Sequence, residues 1–194
     1  MNEQHDVSSS HTEEQEVCPG KKTHPLIPLR HFKRLGRELA MQFLFQCDVA
    51  GMSDFAESLE NFWLQAEHSG AFPSGRIFRK ARSYAEKIIA GVCEHETGID
   101  EVIKSMSDRW DISRMPVVDR NIIRVAVFEL YYCPDIPAVV SIDEAIEIAK
   151  DYSSGKSGLF INGLLNAVKD KLPPHAKIPV EKKPRKQEVQ NVDI

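Results

Sequence analysis

Residues 139–152 have the sequence VVSIDEAIEIAKDY, and this stretch decides the fold class of the chain. The positions between its apolar side chains carry carboxylates and lysine. Because an α-helix has about 3.6 residues per turn, this spacing predicts an amphipathic helix with one buried face. The residues assigned to that face are Ile142, Ala145, Ile146, Ala149 and Tyr152.

Six further segments show helical periodicity, and none alternates with the period of two that a half-buried strand requires. The predicted helices are Lys33 to Cys47, one after Ser53, one that contains Phe78 and ends near Gly98, Asp100 to about Arg109, one opened by Pro116, residues 139–152, and one that follows Gly155-Lys156-Ser157. Seven helices with short connections predict an all-α domain of packed helices.

The two ends of the chain differ from this pattern. Residues 1–29 form an acidic and then basic segment that contains little to bury, and residues 173–194 begin with two prolines and continue with many charged residues. Such compositions do not support a packed core, so both segments are predicted to be disordered tails. A single domain is predicted over residues 30–172.

Several function classes are disfavoured. No apolar run approaches the ~18 residues of a membrane span, and the polar N-terminus is unlike a secretory signal. Cys18, Cys47, Cys93 and Cys133 are widely separated and form no metal-ligand spacing, so we expect no metal, no other cofactor and a reducing, cytoplasmic location.

Candidate catalytic groups are also scarce. The carboxylates of Asp143, Glu144 and Glu147 have no histidine or cysteine near them in sequence, and a solvated helix face explains them. Because no nucleophile, base and orienting group come together, the chain is interpreted as a binding protein and not as an enzyme.

The charge distribution points to the kind of ligand. The chain has a net charge of −4, yet six of the 21 residues from Val17 to Arg37 are Lys or Arg and none is acidic. A local cationic segment on an acidic body suggests binding to a polyanion.

The first predicted helix continues this segment. Projected at about 100° per residue, Arg34, Arg37, Met41 and Phe45 fall together on a flank beside the apolar face, and Arg30 joins them if the helix extends back that far. Guanidinium groups beside exposed rings suit single-stranded nucleic acid, because they pair with phosphates while the rings stack on bases. The alternative is a solvated basic flank whose aromatic ring packs beneath a neighbouring helix.

Four segments together resemble the NusB family of transcription antitermination proteins. They are Arg37 to Phe45 (RELAMQFLF), Asp119 to Leu130 (DRNIIRVAVFEL), the segment from Ile136-Pro137 through Lys150, and Ser157 with Phe160 to Leu165 (FINGLL). The resemblance covers roughly residues 30–172 in the right order and leaves the tails unexplained.

The resemblance implies a fold and a function. Proteins of this family are all-helical, with seven helices in two small packed bundles, and they bind boxA, a short single-stranded RNA element of ribosomal RNA transcripts. They act with NusE, a ribosomal protein, and the pair assembles an antitermination complex on RNA polymerase. Some members form homodimers.

The resemblance also implies site residues. The start of the fifth helix, around Asp119, is expected to face NusE, although an acid there also stabilises the helix dipole. The RNA-binding positions carried over are Arg30, Lys33, Arg34, Arg37, Phe45, Lys156, Ser157 and Phe160. Phe160 lies at the border of its helix's apolar face, so a core ring and a partly exposed ring both remain open.

This chain departs from the family pattern at several of these places. An acidic residue is common where Lys156 stands, and a basic one where Leu159 stands. Two other functions remain open: a helical adaptor without RNA binding, and a stand-alone relative of the RNA-binding module of ribosomal RNA cytosine methyltransferases. Such an enzyme is expected to need a few hundred further residues and a glycine-rich cofactor loop.

Overall fold

The computed structural model describes residues 31–50, 54–72, 75–106 and 111–173. Seven α-helices and one short 3₁₀ helix account for the regular structure of this part, and no strand occurs in it. The all-α prediction is therefore confirmed. The helices are α1 (Phe32–Ala50), α2 (Phe55–His68), α3 (Arg76–Glu94), α4 (Glu96–Ser105), α5 (Val117–Tyr132), α6 (Ala138–Tyr152) and α7 (Ser157–Asp170), and the 3₁₀ helix is Ile112–Arg114.

Several predicted boundaries are corrected by local hydrogen bonds. The cap of α2 is Asp54, whose carboxylate accepts a hydrogen bond from the Glu57 amide at 3.0 Å. The third helix ends at Glu94 because the chain leaves helical geometry at His95, and Gly98 lies inside α4. Ser53, Arg30 and almost all of both predicted tails lie outside the described residues.

Helix α5 is the centre of the domain. All ten residues from Asn121 to Leu130 are buried, as expected for a helix that is covered on every side. Helices α1 to α3 form one bundle and α4 to α7 the other, and α1 packs against α5 to join them. The buried polar groups of α5 must therefore find partners on the neighbouring helices.

Helix α1 packs against α3 and α5, and its side chains reach α6. At one edge, its first residue Phe32 makes an edge-to-face contact with Tyr84 of α3. At the other edge, Gln42 donates a hydrogen bond to the Tyr152 hydroxyl at the end of α6. The two flanks of α1 are therefore covered, and little of its surface faces solvent.

Candidate nucleic-acid interface

The flank of α1 that carries Arg37 and Met41 is buried, which corrects the prediction of an exposed stripe. Both residues are at most 3% exposed, because α5 and α6 pack over this flank. A single-helix projection cannot detect this, since it places the flank beside the apolar face without showing which neighbour covers it. In this conformation Arg37 offers no surface to RNA.

Arg37 instead belongs to a buried polar cluster around Glu129. Its Nε donates to the Glu129 carboxylate at 2.8 Å, and the hydroxyls of Tyr84 and Ser141 donate to the same carboxylate at 2.5 and 2.8 Å. Burial by itself disfavours the charge on Arg37, but Glu129 outweighs it and raises the pKa of the guanidinium. The cluster holds α1, α3, α5 and α6 together.

Arg34 is also engaged, although it lies nearer the surface. Its guanidinium contacts the carboxylates of Glu38 at 2.7 Å, Glu144 at 3.4 Å and Asp151 at 3.2 Å. A phosphate would have to displace these carboxylates, so Arg34 is a weaker candidate for RNA contact than the sequence suggested. Lys33 keeps about a third of its side chain exposed, 3.7 Å from Asp135.

Phe45 lies in an open groove with Tyr152. The groove has a volume of about 710 Å³ and lies between α1, the end of α2, the start of α5 and the end of α6. Phe62 and Val118 also line it, and every described residue that lines it is uncharged. Such a surface suits the face of a base or an apolar side chain, and not a phosphate.

Asp119 is buried and fastens the turn between α6 and α7 to the start of α5. Its carboxylate accepts hydrogen bonds from the hydroxyls of Ser153 at 2.5 Å and Ser157 at 2.8 Å. Both side chains are buried, at 3% exposure for Asp119 and 5% for Ser157, which corrects the expectation that they face a ligand directly. Partner docking around Asp119 and RNA binding beside Ser157 stay predictions.

Lys156 projects from this turn into solvent immediately before α7. It forms no ion pair within the described residues. Phe160, one turn later, is half-buried and packs against the core, so the core contact and the partial exposure that its border position left open occur together.

Two residues of this surface were missed by the sequence analysis. Leu159 is 80% exposed, so the apolar side chain that α7 presents to solvent is Leu159 rather than Phe160. Lys150 lies beside it, across a shallow depression of about 210 Å³. The exposed lysine on the polar face of residues 139–152 was visible in the sequence, but its closeness to the start of α7 was not.

The role of Asp119 can be tested by replacing it with Asn. We expect Asp119→Asn to lower the free energy of unfolding by about 1–3 kcal/mol, because the amide nitrogen would face a hydroxyl that now donates to carboxylate. Urea denaturation followed by circular dichroism measures this loss. Asp143→Asn, at an exposed position of α6, is the matched control and should stay within about 0.5 kcal/mol. Unchanged stability with weakened partner binding would restore the surface-contact interpretation.

Within the described residues, no three His, Cys, Asp or Glu side chains are grouped as metal ligands. None of the helices described here combines the length and the apolar character that crossing a membrane requires.

Comparison with known proteins gives consistent matches. The model of the NusB family matches residues 34–170. The transcription antitermination protein NusB of Myxococcus xanthus is 40% identical over 136 residues, which are 70% of this chain and 93% of that protein. A crystal form of T. maritima NusB superposes with a TM-score of 0.61 at 34% identity, over 72% of this chain and 91% of that one.

A third match is a complex. The structure of the antitermination factors NusB and NusE with double-stranded RNA superposes with a TM-score of 0.60 over 73% of this chain and 98% of that one. At 24% identity this likeness concerns the fold alone.

Proposed function

The chain belongs to the NusB family, and we propose that it is a transcription antitermination factor that binds boxA-type single-stranded RNA in ribosomal RNA transcripts together with NusE. Its role is to bind, without catalysis, in an antitermination complex on RNA polymerase. That role belongs in the cytoplasm, where transcripts are made.

One observation carries the proposal: exposed cations and an uncharged aromatic groove lie on either side of the turn between α6 and α7. Lys156 supplies unpaired positive charge on one side, with Lys150, whose ammonium is paired with Glu147, beside it, and Tyr152 leads into the groove that contains Phe45. Lysines that pair with phosphates beside rings that stack on bases are the combination that single-stranded RNA requires.

The described residues predicted from the family divide into three groups under this proposal. Lys33, Phe45, Lys156 and Phe160 have accessible or half-accessible side chains and are proposed to contact RNA. Arg34 would contact RNA only by releasing carboxylates. The proposed tasks of Arg37 and Ser157 are to hold α1 and the turn in place.

The partner protein is proposed to dock at the start of α5, as the family resemblance implies. Because Asp119 is buried, the contact there would be made by its neighbour Val118, which lines the groove, and by the rim of the groove. An uncharged apolar rim suits a side chain of a partner protein.

Fluorescence anisotropy with a labelled boxA-type RNA tests the proposal. The protein is titrated alone and with NusE, against a scrambled RNA and against a duplex of the same sequence, since a family relative has been solved with double-stranded RNA. We expect tighter binding to the single-stranded boxA-type RNA, strengthened by NusE. Binding to NusE without any preference for that RNA would favour the adaptor function. This outcome is worth testing because Arg34 is paired with carboxylates and Arg37 is buried.

The charge at Lys156 gives a specific prediction. Lys156→Ala should weaken RNA binding about fivefold, the value of one phosphate contact at moderate salt, and Lys156→Asp should weaken it further because repulsion is added to lost attraction. The folded state should persist, since Asp is a favoured residue at the start of a helix. Lys171→Asp, at the opposite end of α7, is the matched control. Equal RNA affinity of Lys156→Asp and the control would remove Lys156 from the interface.

A further inference from the structure

Helix α3 carries a solvent-facing row of basic residues that the family resemblance does not include. Its 19 residues contain five Lys or Arg and two Glu, although the whole chain is acidic. The apolar face of α3, with Ala81, Ala85 and Ile88, packs into the core. The basic residues lie on the opposite face: Arg76, Arg79, Lys80 and Lys87 are all exposed. These four residues are called the α3 stripe.

The α3 stripe differs from most other basic residues near α1 in having no acidic partner. Arg34, Arg37, Arg120 and Arg124 are each paired with carboxylates. Within the described residues, the four members of the stripe form no ion pair, and the carboxylates of Glu86 on α3 and Glu67 on α2 are both paired with Arg82. The positive charge of the stripe is therefore available to an external anion.

The stripe is continuous with the start of α1. The Lys80 ammonium lies 5.5 Å from the centre of the Phe32 ring, and Phe32 contacts the His31 ring at 4.6 Å. Lys33 lies over Tyr84 of α3 at 5.5 Å. The basic segment that ends at Arg37 thus enters the domain beside the stripe, and from Arg76 to Lys87 the stripe continues for roughly 16 Å along the helix.

The opposite side of α1 has the opposite charge. Helix α6 carries four carboxylates, of which Glu144 and Asp151 contact Arg34 of α1, Glu144 also contacts Arg37, and Glu147 is paired with Lys150 of α6 itself; the fourth is Asp143. The start of α1 therefore offers an extended polyanion more unpaired positive charge toward α3 than toward α6. Screening limits these interactions to about 8 Å at physiological salt, so the contacts must be local.

We propose that the α3 stripe binds the phosphates of RNA that flanks the boxA-type element. This rests on the proposed function and extends it, because the RNA path would leave the start of α1 and run over α3. The contacts are to the backbone, so they add affinity and salt dependence without reading sequence.

The test compares two variants that each lose three positive charges. The stripe variant is Arg76→Gln/Arg79→Gln/Lys87→Gln, which leaves Lys80 against Phe32. The control variant is Lys104→Gln/Arg114→Gln/Lys171→Gln, at exposed positions away from α3. The two variants and the unsubstituted chain are titrated in the presence of NusE. Each is titrated against a short boxA-type RNA and against the same RNA extended at one end or the other.

We expect the stripe variant to bind one extended RNA roughly a hundredfold more weakly than the control variant does, about fivefold for each of three lost phosphate contacts. The slope of log affinity against log salt should fall by about 2, since each lost phosphate contact removes about 0.7. The short RNA should be bound equally by all three proteins. Thermal melting checks that the variants remain folded.

Equal affinity of the stripe and control variants for both extended RNAs would overturn the proposal. The stripe would then be interpreted as a surface that binds a partner protein. A second result would also overturn it: carbodiimide cross-links between Lys80 or Lys87 and the carboxylates of residues 1–16 that still form when the extended RNA is saturating. That result would mean that the stripe binds the chain's own acidic segment instead of RNA. The proposed function is judged separately, because it fails only if wild type does not bind the short RNA.

Discussion

Replacing Arg37 with Met should destabilise the domain by about 3–5 kcal/mol, a large part of the stability of a protein this size. The change removes the guanidinium that is paired with Glu129, whose carboxylate is fully buried at 0% exposure. The hydroxyls of Tyr84 and Ser141 still donate to Glu129, but neither carries a charge. Urea denaturation followed by circular dichroism measures the loss.

Two controls separate this effect from a loss of packing. Arg37→Met/Glu129→Gln removes both charges and keeps an acceptor for the two hydroxyls, so it should recover much of the lost stability. Arg82→Met, which breaks ion pairs with the exposed carboxylates of Glu67 and Glu86, should cost about 1 kcal/mol or less. A small loss for Arg37→Met would mean that the guanidinium is accessible in solution, as the helical projection predicted, and would return Arg37 to the RNA-binding surface.

Replacing Gly91 with Ala should cost about 3 kcal/mol, the upper part of the usual range for overpacking. A Cβ atom at Gly91 would lie 2.1 and 2.2 Å from Cε2 and Cζ of Phe128, and that ring is itself buried. Helices α3 and α5 would have to separate, or the ring would have to leave its site. Thermal and urea denaturation of the variant measure the change.

Gly98→Ala is the matched control for Gly91→Ala. Gly98 lies inside α4, and no neighbouring heavy atom is within 4 Å of the position of an added Cβ. Alanine there should stabilise the protein by about 0.5–1 kcal/mol, because it favours the helix over the unfolded chain. If Gly91→Ala were stabilising as well, the close approach of α3 and α5 would be contradicted.

The contribution of Arg37 to the stability of the domain also determines how RNA binding should be tested. A variant that replaces Arg37 would lose RNA binding through unfolding, whatever the residue contacts. Lys33, Lys156 and the α3 stripe are exposed and can be changed without removing a buried partner. The α3 stripe could also have been found in the sequence, because its members recur at helical spacing: Arg76, Arg79, Lys80 and Lys87. The prediction of the RNA-binding surface was instead based on the basic segment that leads into α1.

The sequence by itself determined the helices, their order and the family. Periodicity is a local property: residues 139–152 predict a helix from Val139 to Tyr152, and α6 is Ala138–Tyr152. Pro116 likewise predicts the start of α5, because proline favours a helix start and disfavours the interior. The four matching segments were sufficient to identify the NusB family, because their order and spacing are also properties of the sequence alone.

Only the tertiary structure decided which polar side chains reach solvent. Arg37 and Asp119 look like exposed charges in sequence, yet both are buried because their partners are remote along the chain: Glu129 lies 92 positions from Arg37, and Ser157 lies 38 positions from Asp119. A charge is buried only where another helix supplies an opposite charge or hydrogen-bond donors to offset its lost hydration. That compensation depends on how α1, α5, α6 and α7 pack together, which no single helix encodes.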